Sequence, residues 1–186
     1  MSWDERFSKG DHADLKPMPF LVALASRTDR GARVLDLACG TGRHAVLFAE
    51  RGCEVTAVDS SAVALQILRD RDARVTTILA DLETYEIEDG AWDLIIVTMY
   101  LQRSLFSKLI GARVAMAIPL VDEREGVKPM NPDYLLHPGE LAAYFPAPGW
   151  VHEYREETTP DTPGRRLALL ITFRCASRRT NDTHKT

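Results

Sequence analysis

Two glycines and a carboxylate in the first third of the chain have the spacing of a nucleotide-binding turn. Gly40 and Gly42 follow the apolar run 33–37, which has the composition of a buried strand, and precede a helix-like segment, residues 43–51. Glycine lets the backbone take positive φ values and lets a ligand approach without meeting a Cβ atom. The N–H groups of the helix's first turn favour anionic or electron-rich ligand groups. Asp59 ends a second apolar run about 20 residues further on, where a βαβ unit of ordinary length places an acceptor for ribose hydroxyls.

Two ligands fit this turn, and two further carboxylates distinguish them. Gly40, Gly42 and Ala45 satisfy the G-x-G-x-x-G/A pattern of dinucleotide sites, so NAD is one interpretation. Asp36 lies inside the first strand, where its carboxylate can hold the ammonium of a methionine moiety, a cation that NAD does not have. Asp81 follows a third predicted strand, where it can accept from an adenine amino group. Carboxylates at three consecutive strand ends suit an ammonium, a ribose and an adenine better than a pyrophosphate, and so favour S-adenosylmethionine.

Four segments resemble the first four motifs of class I S-adenosylmethionine-dependent methyltransferases, namely VLDLACGTGRHA, AVDSS, LADLE and WDLIIVTMYLQRSLF. Within that superfamily the chain resembles the small tellurite-resistance and thiopurine-methyltransferase-like group through residues 3–7, 100–106 and 128–141, and the match runs from residue 3 to residue 174. The resemblance implies an enzyme that uses S-adenosyl-L-methionine to methylate a small molecule, such as a chalcogen oxyanion, a thiol or another soft nucleophile. The residues expected at the cofactor are Asp36, Ala38, Gly40, Gly42, Arg43, Asp59, Ser60, Asp81, Leu82 and Thr98.

The order of predicted elements indicates one Rossmann-like α/β methyltransferase domain. Its mostly parallel, twisted sheet is flanked by helices and ends in a C-terminal antiparallel hairpin. The predicted helices cover residues 17–27, 43–51, 61–71 and 138–145, and the predicted strands cover residues 33–37, 54–58, 74–79, 92–98, 112–120, 150–157 and 165–174. The connection at residues 105–110 is shorter than a usual crossover helix, which predicts a sheet edge that is either exposed or covered by a second subunit.

Length and composition agree with one domain over residues 1–175, followed by a disordered polar tail, residues 176–186. Within the domain, residues 1–16 are expected to form an N-terminal arm that is either frayed or folded over the cofactor, with Trp3 and Arg6 near the site. Residues 121–137 form a candidate lid, because Met130, Tyr134, Leu135 and Leu136 favour burial over a disordered loop.

Charge and cysteine usage restrict the class of partner. The formal net charge of −4 gives no basic surplus to neutralise phosphates, so we expect no nucleic acid partner. No apolar run is long enough to span a membrane, and the first residues lack an apolar signal core. Three cysteines without a C-x-x-C pair are typical of a reducing cytoplasm. The acidic residues 83–90 predict a solvated loop and no metal site, since no histidine lies near them.

In methyl transfer from a sulfonium, the cofactor already carries an activated methyl group. The protein therefore mainly orients the acceptor and provides a dry pocket. Tyr100 and Arg103 follow the fourth strand and are candidates for substrate contact, although an arginine there is equally consistent with a surface ion pair. His137, in the candidate lid, is a candidate for deprotonating the acceptor. His44 begins a helix, where a packing or hydrogen-bonding role is more common than catalysis, and Cys39 has no partner base that the sequence identifies.

Three functions therefore stay open at this point. The first is a small-molecule methyltransferase, either monomeric or homodimeric. The second is an NAD-dependent oxidoreductase, in which Asp36 would be only structural. The third is a non-catalytic protein that binds S-adenosylmethionine or a partner, an alternative that the short connection before the fifth strand makes credible.

Overall fold

The computed structural model describes residues 2–10, 15–110, 112–124, 127, 129–158 and 166–174. The predicted tail at 176–186 and the turn at 159–164 lie outside these residues. The helices are α1 (Trp3–Ser8), α2 (Pro19–Ala25), α3 (Arg43–Glu50), α4 (Ala62–Arg71) and α5 (Glu140–Ala143), with 3-10 turns at Arg103–Lys108 and Pro132–Tyr134. The strands are β1 (Arg33–Leu37), β2 (Glu54–Asp59), β3 (Thr76–Leu79), β4 (Leu94–Thr98), β5 (Arg113–Pro119), β6 (Trp150–Thr158) and β7 (Leu167–Arg174).

The strands form one sheet in the order β3-β2-β1-β4-β5-β7-β6. The first five strands in this order are parallel, and β7 is antiparallel to both β5 and β6. The predicted fold class, with its C-terminal antiparallel hairpin, is therefore confirmed. The chain reverses its direction of winding between β1 and β4, and ligands of open α/β sheets bind at the carboxyl ends of strands at such a point.

One face of the sheet is covered by α2, α3 and α4. Leu24, Phe48 and Leu68 are fully buried there against β1, β2 and β4. Helix α3 begins directly after Gly42, whose φ of 78° is left-handed. A Cβ atom on Gly42 would overlap the side chain of Leu68, so the close packing of α4 on this turn requires glycine.

The opposite face is covered by short elements. Leu105, Phe106 and Leu109 from the segment between β4 and β5 pack with Leu136 and Phe145 over the sheet. The connection between β4 and β5 is a single 3-10 turn, as its length predicts.

The expectation of an exposed or subunit-covered edge at this connection is wrong. Strand β5 is hydrogen-bonded to β4 on one side and to β7 on the other, so the short connection does not lie at an edge of the sheet. The C-terminal hairpin supplies the missing neighbour. None of the helices in the described ranges is long and apolar enough to cross a membrane.

Most predicted boundaries move by one or two residues. Helix α2 begins at Pro19, which occupies its first turn, and ends before Ser26, whose hydroxyl bonds back to the Ala23 carbonyl. Strand β4 begins at Leu94, and the carboxylate of the preceding Asp93 accepts the Arg33 backbone N–H at 2.8 Å. The N-cap of α4 is Ser61.

Candidate functional site

Asp36 is a buried carboxylate at the centre of the sheet. Its side chain is 1% exposed, and neither carboxylate oxygen has a hydrogen-bond partner among the described residues. Burial raises the pKa of Asp36 to about 7. The positive charge of Arg43 and the backbone N–H of Ala45, which approaches Asp36 without meeting hydrogen-bond geometry, oppose this shift. Because buried charges are normally paired, an orphaned carboxylate in this position is a site for a cationic ligand group.

Asp59 connects the glycine turn to β2. Its Oδ2 accepts the Gly40 N–H at 2.8 Å and its Oδ1 accepts the Ser61 N–H at 2.9 Å. Burial raises the pKa of Asp59, while these backbone donors lower it. Ser60 lies exposed beside it. The carboxylate is thus held in place by the backbone, with its remaining lone pairs available to a ligand.

The turn between β1 and α3 has an unusual backbone. Gly40 and Gly42 take positive φ values, and so does Ala38, at 54°. A Cβ on Gly40 would meet the ring of Phe7 at 3.4 Å, an ordinary contact distance. Left-handed non-glycine residues are strained and cluster at functional sites, which is consistent with the place of Ala38 in the predicted cofactor set.

Helix α1 lies over this turn. Phe7 is buried against it, and the Asp4 carboxylate accepts a hydrogen bond from the Ser61 hydroxyl. A capping box between Ser2 and Glu5 begins the helix, so the described part of the arm is folded over the site and not frayed. Asp4 and Phe7 make these contacts, whereas Trp3 is 49% exposed and lies under the guanidinium of Arg6.

His44 is buried and joins three elements. Its Nε2 accepts the Met18 backbone N–H at 3.3 Å, so the ring proton is on Nδ1, which donates to Oγ1 of Thr98 at 3.3 Å. Burial, and then the charge of Arg43, lower the pKa of His44 to about 3. The imidazole is therefore neutral, and it supports Thr98 at the end of β4.

Tyr100 faces the loop that follows β3. Its hydroxyl donates to Gln102 Oε1 at 2.8 Å, and Gln102 Nε2 donates to the Leu82 carbonyl at 3.4 Å. Burial, followed by the charges of Asp81 and Glu83, raises the pKa of Tyr100 to about 12. Asp81 is exposed, and its Oδ1 accepts the Glu83 N–H at 2.9 Å.

Arg103 contacts the end of the candidate lid. Its Nε donates to Glu140 Oε1 at 2.7 Å and its Nη2 donates to the Leu135 carbonyl at 3.1 Å. The backbone N–H of His137 donates to the other oxygen of Glu140 at 2.9 Å, and the His137 side chain is exposed. Arg103 therefore has the ion pair that was the alternative to substrate contact. We name this arrangement of Arg103, Glu140 and the Leu135 carbonyl the lid clamp.

The described part of the candidate lid is attached to the sheet. Leu136 forms a parallel bridge with Leu120 and, like Leu135, is buried. Met130 and Tyr134 were expected to be buried but are exposed, Tyr134 at 54%, because the 3-10 turn at Pro132–Tyr134 lies outside the core.

The sequence did not predict the positions of two residues in this region, Met99 and Asp4. Met99 takes a left-handed φ of 57° at the end of β4 and is 48% exposed, and no sequence pattern indicates this for an unbranched apolar residue. Asp4 was missed because its partner Ser61 is 57 residues away in the chain.

Residues 34–111 match a family model described as a methyltransferase domain. A malonyl-[acyl-carrier protein] O-methyltransferase of Salmonella typhimurium is 43% identical over 86 residues, which are 44% of this chain and 34% of that protein. The chain spans about a third of the length of such curated relatives.

Solved structures extend the comparison to nearly the whole chain. TehB from Haemophilus influenzae superposes with a TM-score of 0.72 and 20% identity, over 94% of this chain and 68% of that one. The geranyl diphosphate C-methyltransferase from Streptomyces coelicolor, in complex with Mg²⁺, geranyl diphosphate and S-adenosyl-L-homocysteine, gives a TM-score of 0.66 and 17% identity over 84% of this chain and 78% of that one. The predicted resemblance is thus confirmed at the level of the fold: the chain folds like these methyltransferases, and residues 34–111 match the methyltransferase domain model.

Proposed function

We propose that this chain binds S-adenosyl-L-methionine at the carboxyl ends of β1, β2 and β4 and transfers its methyl group to a small molecule. The observation that carries the proposal is Asp36, a buried carboxylate whose oxygens have no partner among the described residues. A ligand ammonium would supply the missing positive charge together with N–H donors, and NAD has no ammonium group. The methyltransferase domain match and the neighbour solved with S-adenosyl-L-homocysteine support the same cofactor.

The residues of the site have separate roles in this proposal. Asp36 binds the ammonium, and Arg43, whose charge acts on Asp36, binds the carboxylate of the same amino acid moiety. Asp59 accepts from the ribose hydroxyls while it holds the Gly40 turn. Asp81 and Leu82 border the adenine. Ala38, Gly42, Ser60 and Thr98 line the remaining strand ends.

When bound, the cofactor supplies an already activated methyl group, so the protein does not need to create a strong electrophile. Its residues mainly orient the acceptor at the strand ends. Tyr100 is the candidate acceptor contact at the end of β4, and its raised pKa keeps the phenol protonated, so it donates and does not act as a base. His137 stays a candidate for deprotonating the acceptor from the lid. Arg103 acts on the acceptor side through the lid clamp.

Calorimetric titration with S-adenosylhomocysteine, NAD and NADH tests the proposal. We expect micromolar binding of S-adenosylhomocysteine and none of the nicotinamides. Asp36→Asn keeps the shape of the side chain and removes its charge, and it should weaken S-adenosylhomocysteine by at least about tenfold, the size of a lost charged hydrogen bond. Asp89→Asn, an exposed carboxylate in the loop after β3, is the matched control. Binding of NADH alone would reject the proposal, and tight cofactor binding without methyl transfer to any acceptor would favour a non-catalytic binding protein.

A further inference from the structure

The loops after β3 and β4 meet beside the proposed acceptor position. The Tyr100 hydroxyl, the Gln102 amide and the Leu82 carbonyl form one hydrogen-bonded chain with links of 2.8 and 3.4 Å. Leu82 lies between Asp81 and Glu83, whose own contact is a 2.9 Å bond from the Glu83 N–H to Asp81 Oδ1. The phenol of Tyr100 therefore stands beside an exposed turn that carries two carboxylates. We name Glu83, Met99, Tyr100 and Tyr134 the acceptor mouth, and Asp81, assigned to the adenine, lies at its border.

Two arginines near the mouth, Arg103 and Arg43, are paired with other carboxylates and do not neutralise Asp81 and Glu83. Arg103 forms a two-point ion pair with Glu140, with distances of 2.7 and 3.3 Å. Arg43 faces Asp36, the carboxylate assigned to the ligand ammonium. The charges of Asp81, Glu83 and Asp59 all act on Tyr100 in the same direction. The described charged residues at the mouth are therefore carboxylates, and their charge would repel an entering anion.

The remaining surface of the mouth is apolar and aromatic. Met99 is 48% exposed, with its side chain presented by the left-handed backbone at the end of β4. Tyr134 is 54% exposed and lies near enough to Tyr100 to influence it electrostatically. Exposed thioether and aromatic side chains favour an apolar ring in the ligand.

We propose that the methyl acceptor is a small molecule with an apolar ring that is uncharged, or carries a positive charge away from its nucleophilic atom, and that oxyanions are rejected. This rests on the proposed function, because the mouth matters only if a methyl group is delivered there. A neutral thiol or amine forms its S–C or N–C bond as the sulfonium's bond to the methyl carbon breaks. Its proton then leaves to the water that reaches this exposed mouth.

A set of matched acceptors tests the charge preference. Phenylmethanethiol bearing a para aminomethyl, methyl or carboxylate group keeps the nucleophile constant and changes only the remote charge. We expect kcat/KM to be highest for the aminomethyl compound and at least about tenfold lower for the carboxylate, which corresponds to about 1.4 kcal/mol. A carboxylate that reacts as well as the aminomethyl compound would overturn the proposal.

Two variants locate the effect. Glu83→Gln should reduce the aminomethyl-to-carboxylate ratio by about two- to fivefold, the range of a single partly exposed charge. Glu88→Gln is the matched control, because Glu88 is an exposed carboxylate of the same loop. Its charge raises the pKa of Arg33, which lies at the amino end of β1, away from the mouth. Equal effects of the two variants would contradict a role for the mouth.

A second measurement needs no turnover. In the complex with S-adenosylhomocysteine and with methyl-labelled methionine, a cationic nitroxide should broaden the Met99 NMR signal more than an anionic nitroxide does. Met99→Leu assigns the signal. Equal or greater broadening by the anionic probe would overturn the proposal even if none of the thiols reacts. Absence of S-adenosylhomocysteine binding would instead reject the proposed function, so the two failures are distinguishable.

Discussion

Oδ2 of Asp59 accepts a 2.8 Å hydrogen bond from the backbone N–H of Gly40, 19 residues earlier in the chain. Its Oδ1 accepts from the Ser61 N–H at 2.9 Å, so one side chain joins the turn after β1 to the start of α4. The carboxylate proposed to meet the ribose is thus also part of the framework that shapes the glycine turn. Binding and local folding depend on the same two oxygens.

Asp59→Asn should therefore affect both properties. An amide has one acceptor oxygen, so either Gly40 or Ser61 loses its partner and faces an NH₂ group. We expect the free energy of unfolding in urea to fall by about 1–3 kcal/mol and the affinity for S-adenosylhomocysteine to fall at least about tenfold. Asp70→Asn, an exposed acid of α4, should change stability by less than about 0.5 kcal/mol. Unchanged stability of Asp59→Asn would contradict the structural role.

Asp36→Asn is expected to stabilise the ligand-free protein. The pKa of Asp36 is raised from 3.8 to about 7 on folding, so the folded state binds a proton that the unfolded state releases in this range. The stability of the unmodified chain should then fall as pH rises from about 4 to about 7 and level off above that. The increase in the free energy of unfolding caused by Asp36→Asn should be greater at pH 8 than at pH 5, with an upper limit of about 4 kcal/mol.

Thermal unfolding at pH 5 and pH 8 measures this difference. Asp89→Asn serves again as the control, with the same small change at both pH values. A variant that is less stable than the parent at pH 8 would mean that Asp36 has a partner within the folded chain. The expected combination of higher stability and weaker ligand binding is typical of a residue kept for function.

His44→Phe should destabilise the protein at every pH between 5 and 9. The ring keeps its volume but leaves the Met18 N–H and the Thr98 hydroxyl without their partner, at about 1–3 kcal/mol for each buried group. Because the pKa of His44 is lowered from 6.5 to about 3 on folding, the unfolded chain binds a proton below about pH 6.5 that the folded chain does not bind, and His44 itself lowers stability there. The loss of stability caused by His44→Phe should therefore be larger at pH 8 than at pH 5. His137→Gln, at an exposed side chain, should leave the melting temperature unchanged. A similar melting temperature for both variants would contradict the buried role of His44.

The lid clamp predicts that Arg103 and Glu140 act as a unit. The ion pair is partly exposed, so Arg103→Ala and Glu140→Ala should each lower stability by less than about 1 kcal/mol. Each should increase amide exchange at Leu135 and His137 and reduce kcat/KM by a similar factor, and the double variant should add nothing further. An additional loss that only Arg103→Ala shows would instead indicate direct contact between Arg103 and the acceptor.

The sequence predicted the part of the site that is encoded locally. The βαβ unit from β1 to β2 depends on strand periodicity, two glycines and helix-start residues within about 25 positions, so Asp36, Gly40 and Asp59 could be placed at strand ends before any coordinates were known. The antiparallel hairpin was predictable for the same reason, because its two apolar runs flank a turn sequence.

Long-range pairings could not be predicted in the same way. The ion pair of Arg103 with Glu140 and the bond of Asp4 with Ser61 join residues 37 and 57 positions apart, and polar side chains of this kind have many sterically possible partners. The position of β5 inside the sheet depends on β7, which pairs with it from the far end of the chain. Exposure of Tyr134 followed from a 3-10 turn that no periodicity signals.

The two glycines of the turn carry different evolutionary constraints. At Gly40, where φ is 54°, an added methyl group would touch Phe7 at an ordinary contact distance, whereas at Gly42 it would overlap Leu68 on a backbone with φ of 78°. Shortening Leu68 would remove the overlap but leave the backbone strain, so no single compensating change makes another residue acceptable at position 42. Both positions favour glycine through their left-handed backbone, and position 42 requires it also for the packing of α4. Retention of Gly42 in a distant relative therefore reports that α3 and α4 still pack together, and retention of Asp36 is the better marker of an active lineage.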